Sequence, residues 1–142
     1  MGTAENQWGK QLFYYLCSMD ILEQLARIVL PSELLDDFEI LKVSQTETLI
    51  EIWLDERYPD SYRENSDIES KGFMPCTTIT DFPIRDHKVL LHVRRRRWRS
   101  VSRDVSFCRP IKLAADGTCY SAEFASFLKE TYGEFPRDLP YA

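Results

Sequence analysis

A run of arginines is the first stretch of this sequence whose residue types could do chemistry. Four consecutive arginines, Arg94 to Arg97, are followed by Trp98 and Arg99. Residues 71–112 carry 11 Lys and Arg against 3 Asp and Glu, whereas residues 1–70 carry 5 against 15. The whole chain has a formal net charge of -5, so the block is a local excess of positive charge. Charge segregated along a chain in this way predicts an anionic partner.

Nucleic acid is the anionic partner that these residue types favour. Arg and Lys neutralise phosphates and release counterions, and Trp98 or Tyr120 could lie against a sugar or a base. A two-stranded β-ribbon can also enter the major groove, where Arg reads guanine edges; readout of bases and contact with phosphates alone both stay open. An arginine run can instead be a solvated strand end or a blunted sheet edge, but one lysine suffices for edge protection. The candidate DNA contacts are Arg94, Arg95, Arg96, Arg97, Trp98, Arg99, Arg103 and Lys71, with His87, Lys88 and Arg85 in second rank at a hairpin tip.

Enzymatic and metal-binding motifs are missing from the sequence. It contains no nucleophile elbow, no glycine-rich phosphate loop and no H-E-x-x-H. The paired carboxylates Asp36-Asp37 and Asp55-Glu56 are interpreted as solvated groups at helix and strand ends. None of the cysteines forms a C-x-x-C pair, so we expect ordinary thiols, no metal and no other cofactor; they are Cys17, Cys76, Cys108 and Cys119. The chain is therefore predicted not to be an enzyme.

Length and composition predict one globular domain. The chain has 142 residues, of which 44% are hydrophobic, enough for one core. No run of about 20 apolar residues could span a bilayer. The first ten residues lack the basic start and the cleavage site of a secretory signal. We therefore expect a cytoplasmic protein with reduced thiols and no contact with a membrane.

The N-terminal half is predicted to form helices followed by a hairpin. Apolar residues at three- and four-residue steps predict a long helix over residues 6–30, and Pro31 opens a short helix that ends at Asp37. The apolar period then changes to two, which predicts a β-hairpin with strands over residues 38–44 and 48–55. Residues 56–70 are rich in turn formers and are predicted to form a loop.

The basic block is predicted to be a set of antiparallel strands. Strands are expected over residues 73–82, 88–99 and 105–113, with turns over residues 83–87 and 100–104. Alternation places Val89, Leu91 and Val93 on one face, which would anchor the arginines that follow. Ser121 is the predicted N-cap of a C-terminal helix over residues 121–132. We therefore expect a single α+β domain over residues 1–133, an antiparallel sheet of about five strands packed by the long N-terminal and the C-terminal helix, and a loosely held tail over residues 134–142.

Several ordered blocks of the sequence resemble a known family. They are L-P-S-E-L-L-D-D-F-E-I from Leu30, S-K-G-F from Ser70, T-I-T-D-F-P-I-R from Thr78, V-L-L-H-V-R-R-R-R-W from Val89, V-S-R-D from Val101 and E-F-A-S-F-L-K-E from Glu123. Together they resemble the N-terminal region of DDE-type transposases of bacterial insertion sequences, in a group common in Bacteroides relatives. The resemblance runs from about Leu25 to Tyr132 and contains no counterpart of the catalytic acidic triad.

The resemblance implies a DNA-binding role in transposition. In related groups the matching part belongs to a small zinc-ribbon-like unit flanked by cysteines, and the missing cysteine pair implies a metal-free version here. The implied partner is the double-stranded DNA of the element's terminal inverted repeats. The catalytic part is implied on a separate chain or reading frame, joined by association or frameshifting, and a homo-oligomer is also conceivable. Two alternatives stay open: a protein-interaction module that docks an acidic protein or the catalytic chain, and an RNA-binding or autoregulatory factor of the element.

Overall fold

A computed structural model of the chain describes residues 21–31 and 33–133. The chain divides into two compact units, residues 1–34 and 35–142. The prediction of one domain over residues 1–133 therefore stays a prediction. Of the long helix predicted over residues 6–30, residues 21–29 are helical, and the part before residue 21 lies outside the described residues, as does the predicted tail. Within the described ranges, no helix combines the length and the apolar character needed to cross a bilayer.

From Leu34 onward the chain is a mixed α+β structure with two sheets. In chain order its elements are α1 (Leu34–Asp37), β1 (Phe38–Gln45), β2 (Leu49–Glu56), α2 (Asp60–Arg63), β3 (Ile68–Phe73), β4 (Thr77–Ile84), β5 (His87–Arg94), β6 (Arg96–Ser100), β7 (Val105–Phe107) and α3 (Ala122–Tyr132). The first sheet has the order β1-β2-β5-β4 and the second has the order β3-β6-β7. The α+β class is confirmed, but the single antiparallel sheet of about five strands is wrong.

The first sheet is mixed in direction. The predicted hairpin is confirmed, because β1 and β2 pair antiparallel from Phe38 opposite Glu56 to Gln45 opposite Ile50. Strand β5 then lies parallel to β2, and β4 lies antiparallel to β5. The expected apolar face of β5 is also confirmed, since Val89, Leu91 and Val93 are buried. A parallel neighbour for β2 was not foreseen, because alternation predicts a strand and its faces but not its partner.

The strand predicted over residues 88–99 is divided in two. Strand β5 ends at Arg94 and β6 starts at Arg96 in the other sheet, so Arg95 is the point at which the chain changes sheets. Val93 and Trp98 are five residues apart and would face opposite sides of an uninterrupted strand. The break allows both side chains to be buried. The amide of Met74 donates to the Arg95 carbonyl at 2.7 Å, which ties the crossing point to the chain after β3.

The predicted loop over residues 56–70 is wrong in two places. It contains the short helix α2, and β3 begins at Ile68 and pairs antiparallel with β6. The register of β3 shifts between Ser70 and Phe73, where Gly72 adopts a φ of 89°. Glycine enters this left-handed region without steric cost, which suits the bulge. The strand predicted over residues 73–82 accordingly begins later, at Thr77.

The remaining predicted boundaries are close to those observed. Strands β4 and β5 are joined at Arg85 and Asp86, both with positive φ, as a two-residue hairpin turn requires. Strand β7 pairs with β6 as expected, but it ends at Phe107. Helix α3 ends at Gly133, whose φ of 74° makes a left-handed C-cap. Ser121 is the N-cap residue, but its hydroxyl donates to Asp81 at 2.6 Å and makes no capping bond.

Candidate nucleic-acid interface

The arginine run is distributed over two sheets, and each side chain has its own surroundings. Arg94 closes β5, Arg95 lies at the crossing point, and Arg96, Arg97 and Arg99 belong to β6. Within β6 the side chains alternate, so Arg96 lies on the same face as Trp98, while Arg97 and Arg99 lie on the opposite face. The run therefore does not present one continuous row of cations.

Arg94 is paired with a carboxylate of its own chain. Its Nε donates to Oδ1 of Asp55 at 2.7 Å and its Nη2 donates to Oδ2 at 2.5 Å, a two-pronged pair across β2 and β5. The bonds to Asp55 raise the pKa of Arg94. The guanidinium also lies 4.4 Å from the ring centroid of Phe73. The charge of Arg94 is therefore largely satisfied before any ligand arrives.

Arg95 and Arg96 are also held by internal acceptors. The Nη2 of Arg95 donates to the carbonyl of Arg109, while its Nε is buried and has no partner among the described residues. The backbone amide of Arg96 donates to the fully buried Glu56 carboxylate at 2.5 Å, and its Nε donates to the Glu56 carbonyl at 2.9 Å. These contacts fix the start of β6 against the end of β2.

Trp98 is fully buried and has no surface on which a base could stack. Tyr58 and Tyr62 meet its ring edge-on, with centroid distances of 4.9 and 4.8 Å. Its indole Nε1 has no hydrogen-bond partner among the described residues. Tyr120, the other aromatic candidate, is half-buried, with its ring edge-on to Phe124 at 5.4 Å. The structure therefore places Trp98 in the core of the second sheet.

The outer face of the second sheet carries three cations of the basic block, Lys71, Arg97 and Arg99. Arg99 bonds to Glu69, directly opposite on β3, at 3.1 Å, and to Asp104. Lys71 contacts the same Glu69 at 2.8 Å, and this contact, ahead of that from Arg99, lowers the pKa of Glu69. Arg97 lies two residues before Arg99 on this face, is exposed, and has no ion-pair partner among the described residues. We call this surface, made by Lys71, Arg97 and Arg99, the outer basic face.

A carboxylate organises the turn beside this face. The hydroxyl of Ser100 donates to Asp67 at 2.8 Å and the amide of Ser102 donates at 2.7 Å, and these two bonds hold the pKa of Asp67 below its usual value. The next residue, Arg103, is exposed and lowers the same pKa through its charge. The turn thus adds one cation beside the outer basic face.

The second-rank candidates lie at a different place in the fold. Arg85 lies in the turn between β4 and β5 and His87 follows it, at the opposite end of β5 from Arg94. The Nδ1 of His87 lies 2.7 Å from the Arg85 carbonyl. Lys88 is half-buried, and its amide donates to Thr48 at 2.9 Å. These residues form a separate group and do not extend the outer basic face.

Sequence reasoning missed the carboxylates that neutralise the arginines. Asp55 and Glu56, interpreted above as solvated, are buried and bond Arg94, Arg96 and Arg109. It also missed Arg57 and Arg63, which line a pocket together with Arg96 and Arg109. The one available signal was the run W-L-D-E at the end of β2, because two acidic residues that complete a buried strand need partners.

The described residues contain no set of side chains arranged to bind a metal ion. Among residues 21–31 and 33–133, no three His, Cys, Asp or Glu side chains are grouped to hold an ion. Cys76 and Cys119 are exposed, and Cys108 lies 3.0 Å from the sulfur of Met74.

In comparisons of the whole chain, no family model, no curated protein and no solved structure matches it.

Proposed function

We propose that this chain is the DNA-binding N-terminal region of a bacterial insertion-sequence transposase and that it binds the terminal inverted repeats of the element. The observation that supports this best is the outer basic face, where an exposed β-sheet surface carries Lys71, Arg97 and Arg99 beside Arg103. The ordered sequence blocks that resemble the transposase group lend further support. The chain itself is non-catalytic in this proposal, and the catalytic chain and a second copy are its proposed protein partners.

The sheet geometry suits contact with a duplex. The outer basic face belongs to the three-stranded sheet β3-β6-β7, and side chains on one face of a sheet point the same way, toward the phosphates or bases of a duplex that lies against it. Arg97 is one of the cations that have no ion pair among the described residues. Lys71 and Arg99 are held in place by Glu69, which limits the entropy that they lose on binding. We also propose that this DNA-binding region is a metal-free version of a zinc-ribbon-like unit.

Fluorescence anisotropy with a labelled duplex that carries the element's end sequence tests the proposal. We expect Arg97→Gln with Arg103→Gln to weaken binding about tenfold or more, because two phosphate contacts are lost. The matched control is Arg85→Gln with Lys88→Gln at the β4–β5 turn, which removes the same net charge from a separate surface. That control should bind within about twofold of the wild type.

Two results would contradict the proposal. Equal losses in the two double variants would mean that the protein responds only to its net charge. Binding of a random duplex as tightly as the end sequence, in the same salt, would remove the assignment to inverted repeats. Footprinting on the element's own ends would then show whether any sequence is protected.

A second candidate function, a protein-interaction module, is favoured by the helical residues 21–29. Five large apolar side chains there are 42–80% exposed: Ile21, Leu22, Leu25, Ile28 and Val29. Exposed apolar side chains at helical spacing are typical of helix–helix association. Light scattering after size exclusion tests self-association: an oligomer that Leu22→Glu with Leu25→Glu converts to a monomer supports this function, and a monomeric wild type argues against it.

A further inference from the structure

A pocket of about 370 Å³ lies where the ends of several elements of the second unit meet. It is bounded by the end of α1, the start of β1, the segment from Arg57 into α2, and the first residue of β6. The volume lies in the range of small-molecule sites. Ten residues line it: Asp36, Asp37, Glu39, Arg57, Tyr58, Pro59, Asp60, Arg63, Arg96 and Arg109. The pocket is distinct from the outer basic face, because Arg96 and Arg97 point to opposite sides of β6.

The side chains of three of the four arginines in this pocket have only neutral partners among the described residues. Arg57 donates from Nε to the carbonyls of Leu35 and Phe38, both at 3.1 Å. Arg96 donates from Nε to the Glu56 carbonyl and lies over the Tyr58 and Phe73 rings at 5.5 and 4.4 Å. Arg63 lies over the Tyr58 ring at 5.1 Å. Only the fourth, Arg109, is neutralised there, by Asp37 at 2.6 Å and by Glu56 at 3.3 Å.

The neutral acceptors position the guanidinium groups without removing their charge. Arg57 donates to backbone carbonyls through Nε alone, and Arg96 donates through Nε to a carbonyl and through Nη1 to the Ser70 hydroxyl at 3.4 Å. Both Nη groups of Arg57 and the Nη2 group of Arg96 are therefore left for a ligand by the described residues. Buried Glu56 holds the backbone of Arg96 and the side chain of Arg109 at the same time. Planar guanidinium groups held in this way match the oxygen atoms of phosphate.

Carboxylates on the rim restrict what the ligand can be. Glu39 and Asp60 line the same pocket and have no ion-pair partner in the part of the chain that the structure describes. They repel a bare anion but accept hydrogen bonds from hydroxyl groups. Since the lining carries four arginines and four carboxylates, a ligand that suits it combines an anionic group for the arginines with hydroxyl donors for the carboxylates. A phosphate monoester, which carries about 1.5 to 2 negative charges near neutral pH, supplies such an anionic group.

The geometry points to a binding site for a small phosphate monoester that also bears hydroxyl groups, such as a sugar phosphate. Its phosphate lies among Arg57, Arg63 and Arg96, and its hydroxyl groups donate to Glu39 and Asp60. The site goes beyond the proposed DNA function and does not depend on it.

Amide NMR titration of the full chain with ribose 5-phosphate, inorganic phosphate and ribose tests the site. We expect saturable shifts around the pocket for ribose 5-phosphate, weaker ones for inorganic phosphate, and none for ribose. Arg63→Gln should weaken ribose 5-phosphate about tenfold or more, because a charge-assisted bond is lost. The one contact of the Arg63 side chain among the described residues is the stack on the Tyr58 ring, so the variant should keep the fold. Asp60→Asn should weaken ribose 5-phosphate but leave inorganic phosphate unchanged or tighter.

The control variant is Arg97→Gln, which removes one arginine from the outer basic face and should leave ribose 5-phosphate binding unchanged. Equal losses in Arg63→Gln and Arg97→Gln would overturn the site, as would the absence of saturable shifts up to about 10 mM ribose 5-phosphate, a concentration at which even a millimolar dissociation constant is detectable. Displacement of ribose 5-phosphate by a short DNA duplex would assign the pocket to a backbone phosphate and overturn the small-ligand assignment. Loss of DNA binding in Arg97→Gln with intact ribose 5-phosphate binding would separate the two proposals.

Discussion

At the scale of single residues, the arginines that looked most available for a ligand are largely structural. Arg94 is the clearest case, because Asp55, which it binds through two bonds, is buried. Removing Arg94 would leave the Asp55 carboxylate desolvated and unpaired, which costs more free energy than the ion pair contributes. The role of Arg94 can therefore be separated from DNA binding by experiment.

Arg94→Gln should destabilise the fold by about 1–3 kcal/mol, the cost of an unsatisfied buried polar group. Urea denaturation followed by circular dichroism measures the change. Adding Asp55→Asn to this variant should recover part of the loss, because the buried side chain at position 55 is then no longer charged. Arg97→Gln, also in the run but exposed, should stay within about 0.5 kcal/mol of the wild type. Similar losses for Arg94→Gln and Arg97→Gln would mean that the Asp55 pair does not stabilise the fold.

Asp81 is a buried carboxylate for which we expect stability to depend on pH. Burial raises its pKa, although hydrogen bonds from Ser121 and from the Phe82 amide oppose the shift. The ionised form therefore reduces stability at every pH above the folded pKa, and this cost disappears below the unfolded value near 3.8. Asp81→Asn keeps an acceptor for Ser121 and should be more stable than the wild type at pH 7.

Urea denaturation at neutral pH and near pH 3.5 checks this prediction, because the advantage of Asp81→Asn should vanish in acid. Asp67 provides a comparison of opposite sign. Its pKa is lowered, so its stabilising contribution is present above the unfolded value and is lost as the pH falls through the folded pKa. Asp67→Asn should therefore be less stable than the wild type at neutral pH. If Asp81→Asn were less stable than the wild type at pH 7, the ionised Asp81 carboxylate would not reduce the stability of the fold as we expect.

Individual buried residues were predictable from the sequence where alternation was regular. Val89, Leu91 and Val93 follow it and are buried. Continued alternation would place Trp98 on the face opposite Val93, but the chain changes sheets at Arg95 and Trp98 is buried. No glycine or proline in the sequence marks this change. The burial of Trp98 depends on Tyr58, just before α2, and Tyr62, within α2, which meet its ring from a segment that the sequence predicts to be a loop. A contact of this kind is tertiary and leaves no local signal.

At the scale of elements, the turn between β6 and β7 depends on one side chain. Asp67 accepts hydrogen bonds from the hydroxyl of Ser100 and the amide of Ser102 through its carboxylate, and from the amide of Val101 through its backbone carbonyl. The turn carries Arg103 beside the outer basic face. Its order therefore affects how the proposed DNA surface is presented.

Asp67→Ala should loosen this turn selectively. We expect the Ser102 amide to exchange with solvent several-fold faster, because its acceptor is gone. The Val101 amide is an internal control, since its bond to the Asp67 carbonyl at 2.8 Å does not need the side chain. Hydrogen exchange followed by NMR measures both amides in one sample. Equal acceleration of the two would mean that the whole strand pair opens, and that the carboxylate does not act on the turn alone.

Elements with strong local patterns were predictable, and those specified by a partner were not. The β1–β2 hairpin and α3 have clear periodicity and end signals, and both were found. Strand β3 begins with Ile68, Glu69 and Ser70 and contains Gly72, so no alternation identifies it. It exists because β6 offers a pairing edge, with Glu69 opposite Arg99. The sheet to which β6 belongs is decided by that same pairing.

At the scale of the whole molecule, charge that is segregated along the sequence is partly neutralised in space. Carboxylates from before residue 71 reach into the basic block: Asp55 to Arg94, Glu69 to Lys71 and Arg99, and Asp37 and Glu56 to Arg109. The sequence alone supports the anion-binding hypothesis, but it does not show which cations are paired with carboxylates in the folded chain. The candidate set contracts from the whole run to Arg97 and Arg103, which have no ion pair among the described residues, together with Lys71 and Arg99, whose ion pairs lie at the surface.

This contraction predicts how strongly salt should weaken DNA binding. Each phosphate contact contributes a slope of about -0.9 to a plot of log affinity against log salt. With Lys71, Arg97, Arg99 and Arg103 as contacts, the slope should be no steeper than about -4, well short of what the full basic block would produce. Arg97→Gln should reduce it by about one unit, whereas Arg94→Gln should leave it unchanged. Anisotropy titrations from about 50 to 200 mM salt measure the slope. A steeper slope that Arg94→Gln reduces would mean that Arg94 leaves Asp55 for phosphate, and the ion pairs described above would then be a resting arrangement that DNA replaces.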